Sequence, residues 1–322
     1  MASSVASVAA ACFPLSAALT FVFTRAAIPL LARMGMTGVD LHKAEKTEVV
    51  EMAGIGIVLG ILATAAIVSV PLGIKAAWLV FAVVLVMAAI GAFDDVFEIR
   101  GRTKFSLSLI GSTAVLCMNR PEASPILGDL IPSSLLGLVM GLAVSVSANA
   151  VNILAGFNGL EAGTTAIAAL AVLGMSAVGS MPEGAFLSCS LAGACLSFLY
   201  FNKYPSRAFP GDIGTLTMGG VLGLSALLAK AELVLPLILA PHLVELFCKV
   251  RNRFAPKSVT GHSRIGPDGR LIPGSCWAFV HFLMVHFPSD ERHLVYEVWL
   301  IEAALSAASF LLYAVFLTPS VG

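Results

Sequence analysis

Apolar runs, most of them about as long as a membrane is thick, recur along the whole chain. A run of about 20 apolar residues crosses the hydrocarbon of a bilayer as an α-helix, which pairs its own backbone groups. The chain is 58% hydrophobic and 12% charged, whereas soluble domains are about half apolar and about a quarter charged. We therefore predict an all-α integral membrane protein with ten transmembrane helices. These lie near Val5–Leu31, Ala53–Pro71, Ala76–Phe93, Phe105–Met118, Ser134–Ile153, Leu160–Gly179, Gly184–Phe201, Ile213–Ala229, Leu233–Val250 and Val298–Leu317.

The basic residues indicate how these helices are oriented, because lysine and arginine collect in cytoplasmic loops. With ten helices, one side of the membrane receives only Lys75, Arg120 and Lys230. The other side is therefore expected to be cytoplasmic, with both termini facing outward. Basic and acidic residues number 19 each, so no global charge attracts nucleic acid. The basic residues of the cytoplasmic side are Arg33, Lys43, Lys46, Arg100, Arg102, Lys104, Lys203, Arg207, Lys249, Arg251, Arg253, Lys257, Arg264, Arg270 and Arg292.

We expect a single polytopic membrane domain over residues 1–322, with a cytoplasmic loop region at 251–297 between helices nine and ten. The apolar stretch Cys276–Phe287 in that region is short for a span, so it is re-entrant, interfacial or an eleventh helix. The first run lacks a basic segment before it and exceeds signal-peptide length, which indicates a retained helix. The six cysteines form no Cys-x-x-Cys pair, and we interpret them as small buried residues rather than disulfides or zinc ligands.

Polar residues interrupt the apolar pattern in the segment Asn149-Ala-Val-Asn152-Ile-Leu-Ala-Gly-Phe-Asn158-Gly-Leu-Glu161. Such groups are costly near hydrocarbon and usually mark a functional site. Amide hydrogen bonds between membrane helices explain one of the asparagines well and three poorly. Two glycines in the segment indicate a broken or closely approached backbone. Asn152 could give a metal an oxygen ligand, and Asn158 could bind a polar ring such as a nucleobase.

Carboxylates mark two other helix ends on the predicted cytoplasmic side. Asp94-Asp95 end the third helix, and Arg100 and Lys104 follow. Carboxylates bind Mg²⁺ and basic side chains bind phosphate, so these residues favour a metal-phosphate site over a solvated helix end neutralised by its neighbours. Asp212 opens the eighth helix, where an N-cap role would be sufficient. Their shared location with the asparagine segment predicts a polar site at the cytoplasmic face.

These motifs resemble those of the polyprenyl-phosphate N-acetylhexosamine-1-phosphate transferase superfamily (glycosyltransferase family 4), which includes the bacterial phospho-N-acetylmuramoyl-pentapeptide translocase. The most similar branch is that of the eukaryotic and archaeal dolichyl-phosphate N-acetylglucosamine-phosphotransferases. Its pattern Asn-Ala-x-Asn-Ile-Leu-Ala-Gly-x-Asn-Gly-Leu-Glu matches the asparagine segment almost position by position. The resemblance spans most of the chain and agrees with the family's ten helices. The other matching motifs are Asp40-Leu41, Phe93-Asp94-Asp95-Val96 and Phe209-x-Gly211-Asp212.

The resemblance implies an enzyme that transfers N-acetylglucosamine-1-phosphate from UDP-N-acetylglucosamine to a polyprenyl, dolichyl-type phosphate. The products would be polyprenyl-diphosphate-N-acetylglucosamine and UMP, in the first step of lipid-linked glycan assembly for protein N-glycosylation or cell wall polysaccharide. It implies Mg²⁺ as cofactor, with Mn²⁺ as a substitute. A homodimer is compatible with the family. The membrane would be the plasma membrane of a prokaryote or the endoplasmic reticulum of a eukaryote.

The resemblance also implies roles for single residues. Asn152 and Asp212 would be metal ligands, Lys104 would bind phosphate, and Asp94 and Asp95 would position or deprotonate the lipid phosphate. The chain departs from the eukaryotic branch in the basic loop, where it carries His-Ser-Arg rather than Arg-His-Arg. That loop is also shorter than the eukaryotic insertion, which indicates a compact, archaeal-type member. The residues expected to contact substrate are Leu41, Glu51, Asn158, Phe209, His262 and Arg264.

Two other classes of membrane protein remain as alternatives. A secondary transporter would place a polar site at the middle of the membrane between broken helices, whereas the carboxylates here lie at predicted helix ends. A CDP-alcohol phosphotransferase would carry an Asp-Gly-x-x-Ala-Arg signature. The Asp-Gly pair of this chain, Asp268-Gly269, lacks the following Ala-Arg.

Overall fold

The computed structural model describes residues 4–40, 48–119, 122–252, 263–274 and 278–317. Within them the fold is almost entirely helical, and Tyr313–Leu317 continues the last helix as a π-helical turn. Two antiparallel hairpins pair β1 (Thr37–Val39) with β2 (Glu48–Val50) and β3 (Arg264–Ile265) with β4 (Leu271–Ile272). The helices are α1 (Val5–Arg33), α2 (Ile55–Leu72), α3 (Ala77–Phe97), α4 (Gly101–Asn119), α5 (Pro125–Leu130), α6 (Ser133–Leu154), α7 (Leu160–Val178), α8 (Pro182–Asn202), α9 (Gly211–Leu228), α10 (Leu235–Ile238), α11 (Ala240–Asn252), α12 (Phe279–His286) and α13 (Glu291–Leu312).

Eight of the described helices are long and apolar enough to cross a membrane. They coincide with eight of the ten predicted runs, and they confirm that the chain is an integral membrane protein built of helices. The eight are α1, α2, α3, α6, α7, α8, α9 and α13.

The other two predicted runs differ from simple spanning helices. The run Phe105–Met118 lies within α4, whose buried serines bond to α6: Ser108 to the hydroxyl of Ser145, and Ser112 to the carbonyl of Gly141. The run Leu233–Val250 is not one helix, because the structure breaks it after Ile238 into α10 and α11. Pro241 accounts for the break, since its ring clashes with the carbonyl four residues earlier and it has no N–H to donate.

Three short features were not predicted from the sequence: α5 and the two hairpins. Hairpin strands of two or three residues are too short to show a period of two. In the apolar stretch Cys276–Phe287, the described residues form α12, which has eight residues and is too short to be an eleventh spanning helix. The five cysteines within the described residues are free thiols.

Close helix contacts join α9 to its neighbours at the end of the bundle where α3 ends and α9 begins, here called the polar end. Gly91 of α3 faces the first turn of α9, where an added Cβ would lie 2.5 Å from the Cα of Ile213. Gly54, at the start of α2, packs against Gly214 of α9 in the same way. Small residues let membrane helices approach this closely, and the packing fixes where α9 begins.

A cluster of buried apolar residues lies beside the polar end. Leu154, Phe157 and Leu160, around the loop between α6 and α7, pack against β4, α12 and α13 through residues such as Leu271 and Leu294. On the other side, the amide of Phe209 donates to the carbonyl of Val50 in β2 at 2.7 Å. The loop that follows α6 and the loop that precedes α9 are therefore each held by a distant segment of the chain.

Candidate active site

One lysine lies between the carboxylates of two helices at the polar end. The Nζ atom of Lys104, in the first turn of α4, is 2.5 Å from Oδ2 of Asp94 and 2.5 Å from Oδ2 of Asp212. It also donates to Oδ1 of Asn152 at 3.1 Å. Three motifs that are far apart in the sequence thus meet at a single ammonium group. The space between the two carboxylates suits a positive charge.

Asn152 joins the last turn of α6 to the first turn of α9. Its Nδ2 donates to Oδ1 of Asp212 at 2.7 Å and to Oγ1 of Thr215 at 2.8 Å. The sequence analysis missed Thr215, although its position three residues after Asp212 places both on one face of a helix. Asn149, one turn earlier, donates to Oγ of Ser108 at 2.8 Å. It therefore braces α6 against α4 and does not enter the polar cluster.

The two adjacent aspartates do different things. Asp95 accepts hydrogen bonds from the amides of Asp212 and Ile213, at 2.7 and 2.9 Å, so both of its oxygens cap the start of α9. A helix N-terminus leaves such amides without partners and favours negative charge. Gly211 makes this approach possible, with a φ of 64° and the Asp95 carboxylate against its Cα. Asp94 instead faces Lys104.

A small cavity of about 220 Å³ adjoins the cluster and shares residues with it. Asn158 and Phe209, which the resemblance assigns to substrate contact, both lie on its lining. The amide of Asn158 is oriented by Asp40, to which its Nδ2 donates at 2.9 Å. Its lining includes Asp40, Asn158, Glu161, Phe209, Asp212 and Thr215.

A larger and mainly apolar cavity of about 660 Å³ lies on the flank of the bundle, between α4, α6 and α11; we call it the flank cavity. It begins next to the cluster, because Arg102 and Phe105 flank Lys104 on α4. Lys249 of α11 donates to the carbonyl of Ile153 at 2.8 Å and so ties α11 to α6. Its lining also includes Asn149, Leu246 and Val250.

Of the six residues expected to contact substrate, two lie outside the described residues and two line neither the small cavity nor the flank cavity. Leu41 and His262 fall outside the described ranges. Arg264 is exposed in β3 and lines neither cavity. Glu51 also lines neither; its carboxylate lies against Gly38 of β1. Burial, together with the charge of Asp95, raises the pKa of Glu51 above its usual range.

The oxygen donors of the cluster fit a hard divalent cation that also binds a phosphate ligand. Among the described residues, no group of three or more His, Cys, Asp and Glu side chains is placed to hold a metal by itself. Mg²⁺ is usually held by only one or two carboxylates, with substrate phosphates and water completing its shell. Asp94, Asp212, the amide oxygen of Asn152 and the hydroxyl of Thr215 match that pattern. Lys104 already shows that a cation is stable there.

The chain is similar in sequence to a known family and to proteins of archaea and bacteria. A sequence model of glycosyl transferase family 4 matches residues 77–230, which include all four helix ends of the cluster. A protein of Sulfolobus acidocaldarius named "Putative UDP-N-acetylglucosamine--dolichyl-phosphate N-acetylglucosaminephosphotransferase" is 29% identical over 315 residues, covering 93% of this chain and 94% of that protein. A protein of the same name from Saccharolobus solfataricus is 26% identical over 289 residues, covering 85% and 87%.

A bacterial relative is more similar over a shorter length. The phospho-N-acetylmuramoyl-pentapeptide-transferase of Desulforudis audaxviator is 33% identical over 253 residues, which cover 68% of this chain and 75% of that protein. The family match contains Asp94, Lys104, Asn152 and Asp212, the residues that the fold gathers at the polar end. On this evidence the chain belongs to glycosyl transferase family 4.

Proposed function

We propose that this protein transfers N-acetylglucosamine-1-phosphate from UDP-N-acetylglucosamine to a polyprenyl phosphate of the dolichyl type, releasing UMP. The names of the two archaeal relatives, which match most of the chain, support this substrate pair. The observation that carries the proposal is the position of Lys104 and its two carboxylates. They lie between a small cavity, which shares Asp212 with the cluster, and a large apolar cavity lined by α4 residues on both sides of Lys104, as a reaction between a soluble and a lipid substrate requires.

The small cavity suits the nucleotide. Phe209 offers a ring on which a base can stack, and Asn158 offers an amide to its polar edge. The base would lie near Asp40, with the diphosphate directed toward Asp212, since that residue lies on both the cavity and the cluster. The sugar contacts implied for Arg264 and His262 remain part of the proposal.

The flank cavity suits the lipid acceptor. Its lining is mainly apolar, as a polyprenyl chain requires, and Arg102 and Lys249 lie on it as partners for a phosphate. The phosphate head would then lie beside Lys104, which is between the cavity residues Arg102 and Phe105 on α4. Two polyanions must approach each other here, so positive charge from Lys104 and Arg102 lowers the repulsion.

In the reaction, an oxygen of the lipid phosphate attacks the β-phosphorus of the UDP-sugar. The new phosphorus–oxygen bond forms as the bond to the bridging oxygen breaks, and UMP leaves with that oxygen and its electron pair. The bond between sugar C1 and oxygen is untouched, so the anomeric configuration is retained. A phosphate monoester is largely ionised at neutral pH, with a second pKa of about 6, so no strong base is needed. We therefore assign Asp94 to holding Lys104, and Asp95 to positioning α9.

We propose that the reaction uses Mg²⁺, or Mn²⁺ in its place, held by Asn152 and Asp212 with help from Asp94 and Thr215. A bound divalent ion would polarise the phosphoryl oxygens and neutralise part of the developing charge. Lys104 would turn from the two carboxylates to the phosphate oxygens when substrate binds. This arrangement explains why the cluster combines acidic and amide groups with a single lysine.

We further propose ten spans, with α4 and the broken pair α10–α11 as the two beyond the eight, both termini outside and the polar end in the cytoplasm. The distribution of basic residues supports this orientation. A secondary transporter fits less well, because the cluster lies at helix ends rather than at mid-membrane.

The proposal is tested by incubating the purified protein with labelled UDP-sugars, a short polyprenyl phosphate and Mg²⁺. We expect labelled sugar-phosphate in the lipid fraction and equimolar UMP, and loss of both on chelation. The variants Asp212→Ala and Asn152→Ala should abolish UMP release while remaining folded. If no UDP-N-acetylhexosamine gives lipid-linked product, the transferase function is wrong. Normal turnover in either variant would remove that residue as a metal ligand.

A further inference from the structure

Two buried carboxylates hold Asn158 from opposite parts of the chain. Its side-chain Nδ2 donates to Oδ2 of Asp40, just after β1, at 2.9 Å. Its backbone amide donates to Oε1 of Glu291, in the first turn of α13, at 2.7 Å. Asp40 and Glu291 are only 3% and 4% exposed. Neither contact was predicted from the sequence, and they fix different features of the same residue.

Glu291 fixes where Asn158 lies. The loop from Ala155 to Gly159 carries Asn158, and two of its glycines have positive φ angles: 139° at Gly156 and 86° at Gly159. A loop with such a backbone can move unless it is anchored. The bond from Glu291 anchors it at the residue that lines the small cavity.

Asp40 fixes which end of the amide faces outward. An ionised carboxylate can only accept hydrogen bonds, so the nitrogen of the Asn158 amide must be the atom that faces Asp40. The amide oxygen must then point away from Asp40. Among the described residues nothing donates to this Oδ1, and Asn158 lines the small cavity together with Phe209. The cavity therefore presents the oxygen of the Asn158 amide, a hydrogen-bond acceptor, and Asp40 determines that the oxygen rather than the nitrogen takes this position.

We propose that Asp40 determines base specificity, as a positioning residue that acts through Asn158. With its oxygen held outward, the amide accepts a hydrogen bond from N3–H of uracil and meets a lone pair at N3 of cytosine. A base that leaves the polar groups of a preformed site without hydrogen-bond partners binds with lower affinity. This inference rests on the proposed function, because it assumes that the small cavity holds the base of the donor.

The test compares the Kd values of UMP and CMP, measured by calorimetry on the purified full-length protein with Mg²⁺. The wild type should bind UMP in preference to CMP. In Asp40→Asn, the two facing amides can pair in either orientation, so the preference should fall about 10-fold. The matched control is Glu291→Gln, which also replaces a buried carboxylate by an amide. Its Oε1 still accepts from the backbone of residue 158, so the UMP-to-CMP ratio should be unchanged.

If thermal unfolding shows that Asp40→Asn does not fold, a double variant that exchanges the two side chains provides the test. The double variant Asp40→Asn with Asn158→Asp keeps one carboxylate and one amide and again presents an acceptor to the base. It should retain the preference for UMP. A folded Asp40→Asn variant with the wild-type ratio, or a double variant that binds both nucleotides equally, would overturn the inference.

The same measurements separate this inference from the proposed function. A wild type that transfers sugar-phosphate from UDP-N-acetylglucosamine but binds UMP and CMP equally overturns the role of Asp40 alone. A wild type that transfers nothing and binds neither nucleotide overturns the proposed function and, with it, the inference.

Discussion

Lys104 is the residue on which the electrostatics of the polar end depend. Asp94 and Asp212 come from different helices, and their two carboxylates, both in contact with one ammonium group, would repel each other without it. The lysine ammonium lies 2.5 Å from both and holds α3, α4 and α9 in one arrangement. In the proposed function, the same charge would bind the phosphate substrate once that substrate replaces the carboxylates as its partner.

We expect Lys104→Met to lower the rate of UMP release by about 100-fold or more, because it removes a charge that stabilises the transferring phosphoryl group. Initial rates at saturating substrate give the comparison. Lys75→Gln is the matched control, since Lys75 is exposed at the far end of α3 from the cluster. Near-normal turnover in Lys104→Met would remove the lysine from the phosphate site.

Glu51 is expected to make the thermal stability of the protein depend on pH. Burial and the Asp95 charge raise its folded-state pKa, so ionised Glu51 costs stability above that pKa. The cost disappears below the unfolded value of about 4.3. We therefore expect Glu51→Gln to raise Tm at about pH 8 and to leave it unchanged near pH 4, by thermal unfolding in detergent. The gain is small because the side chain is partly exposed.

The control for this effect is Glu48→Gln, a change to an exposed residue of the same hairpin. It should not reproduce the pH-dependent difference. An equal Tm shift in Glu51→Gln at both pH values would show that charge is not its cause.

At the scale of helices, the contact between α3 and α9 places Asp94 and Asp95 against the start of α9. Gly91 is one turn before Asp95 on α3, and its Cα faces the backbone of Asp212 and Ile213. Any side chain there must push the two helices apart. The capping bonds from Asp95 to α9 have lengths of 2.7 and 2.9 Å, which leave little room for such a shift.

Gly91→Ala should therefore reduce both activity and stability. Overpacking of this kind typically costs about 1–3 kcal/mol, and the displaced α9 would also misplace Asp212. Unfolding in detergent and UMP release measure the two effects. Gly128→Ala is the control, because nothing lies within 4 Å of the added Cβ in α5. A fully active Gly91→Ala protein would contradict the tight α3–α9 contact.

For the whole molecule, the number of spans decides on which side each loop lies. The eight clear helices leave the crossing of α4 and of the α10–α11 pair to be tested. Glu122 follows α4 with an 88% exposed side chain, and Asp268 follows α11 with one that is 62% exposed. With ten spans, these two positions lie on opposite sides of the membrane.

We expect Glu122→Cys and Asp268→Cys, in a background without native cysteines, to react from opposite sides with a membrane-impermeant maleimide on sealed vesicles. Ser4→Cys should behave like Glu122→Cys, because both lie on the outer side in the ten-span arrangement. Labelling of Glu122 and Asp268 from the same side would reduce the number of spans and overturn this topology.

The sequence predicted the membrane helices well because apolar runs must be continuous to cross a bilayer. It also predicted the cluster members Asp94, Lys104, Asn152 and Asp212, since charged and amide side chains are conspicuous in an apolar chain. Whether these have the proposed roles stays a prediction. The sequence could not predict long-range contacts such as those of Asn158 with Asp40 and Glu291. Those join positions more than a hundred residues apart, and no local pattern indicates which distant carboxylate meets a given amide.

The position of the flank cavity has a kinetic consequence. Exposed residues such as Arg102 and Val250 border the flank cavity, so it communicates with the surroundings of the bundle. In a bilayer those surroundings are lipid, and a ligand that enters there never dissolves in water. The rate would then follow the mole fraction of acceptor in the membrane and obey surface-dilution kinetics. Adding inert lipid at constant total acceptor should slow turnover, while adding water should not.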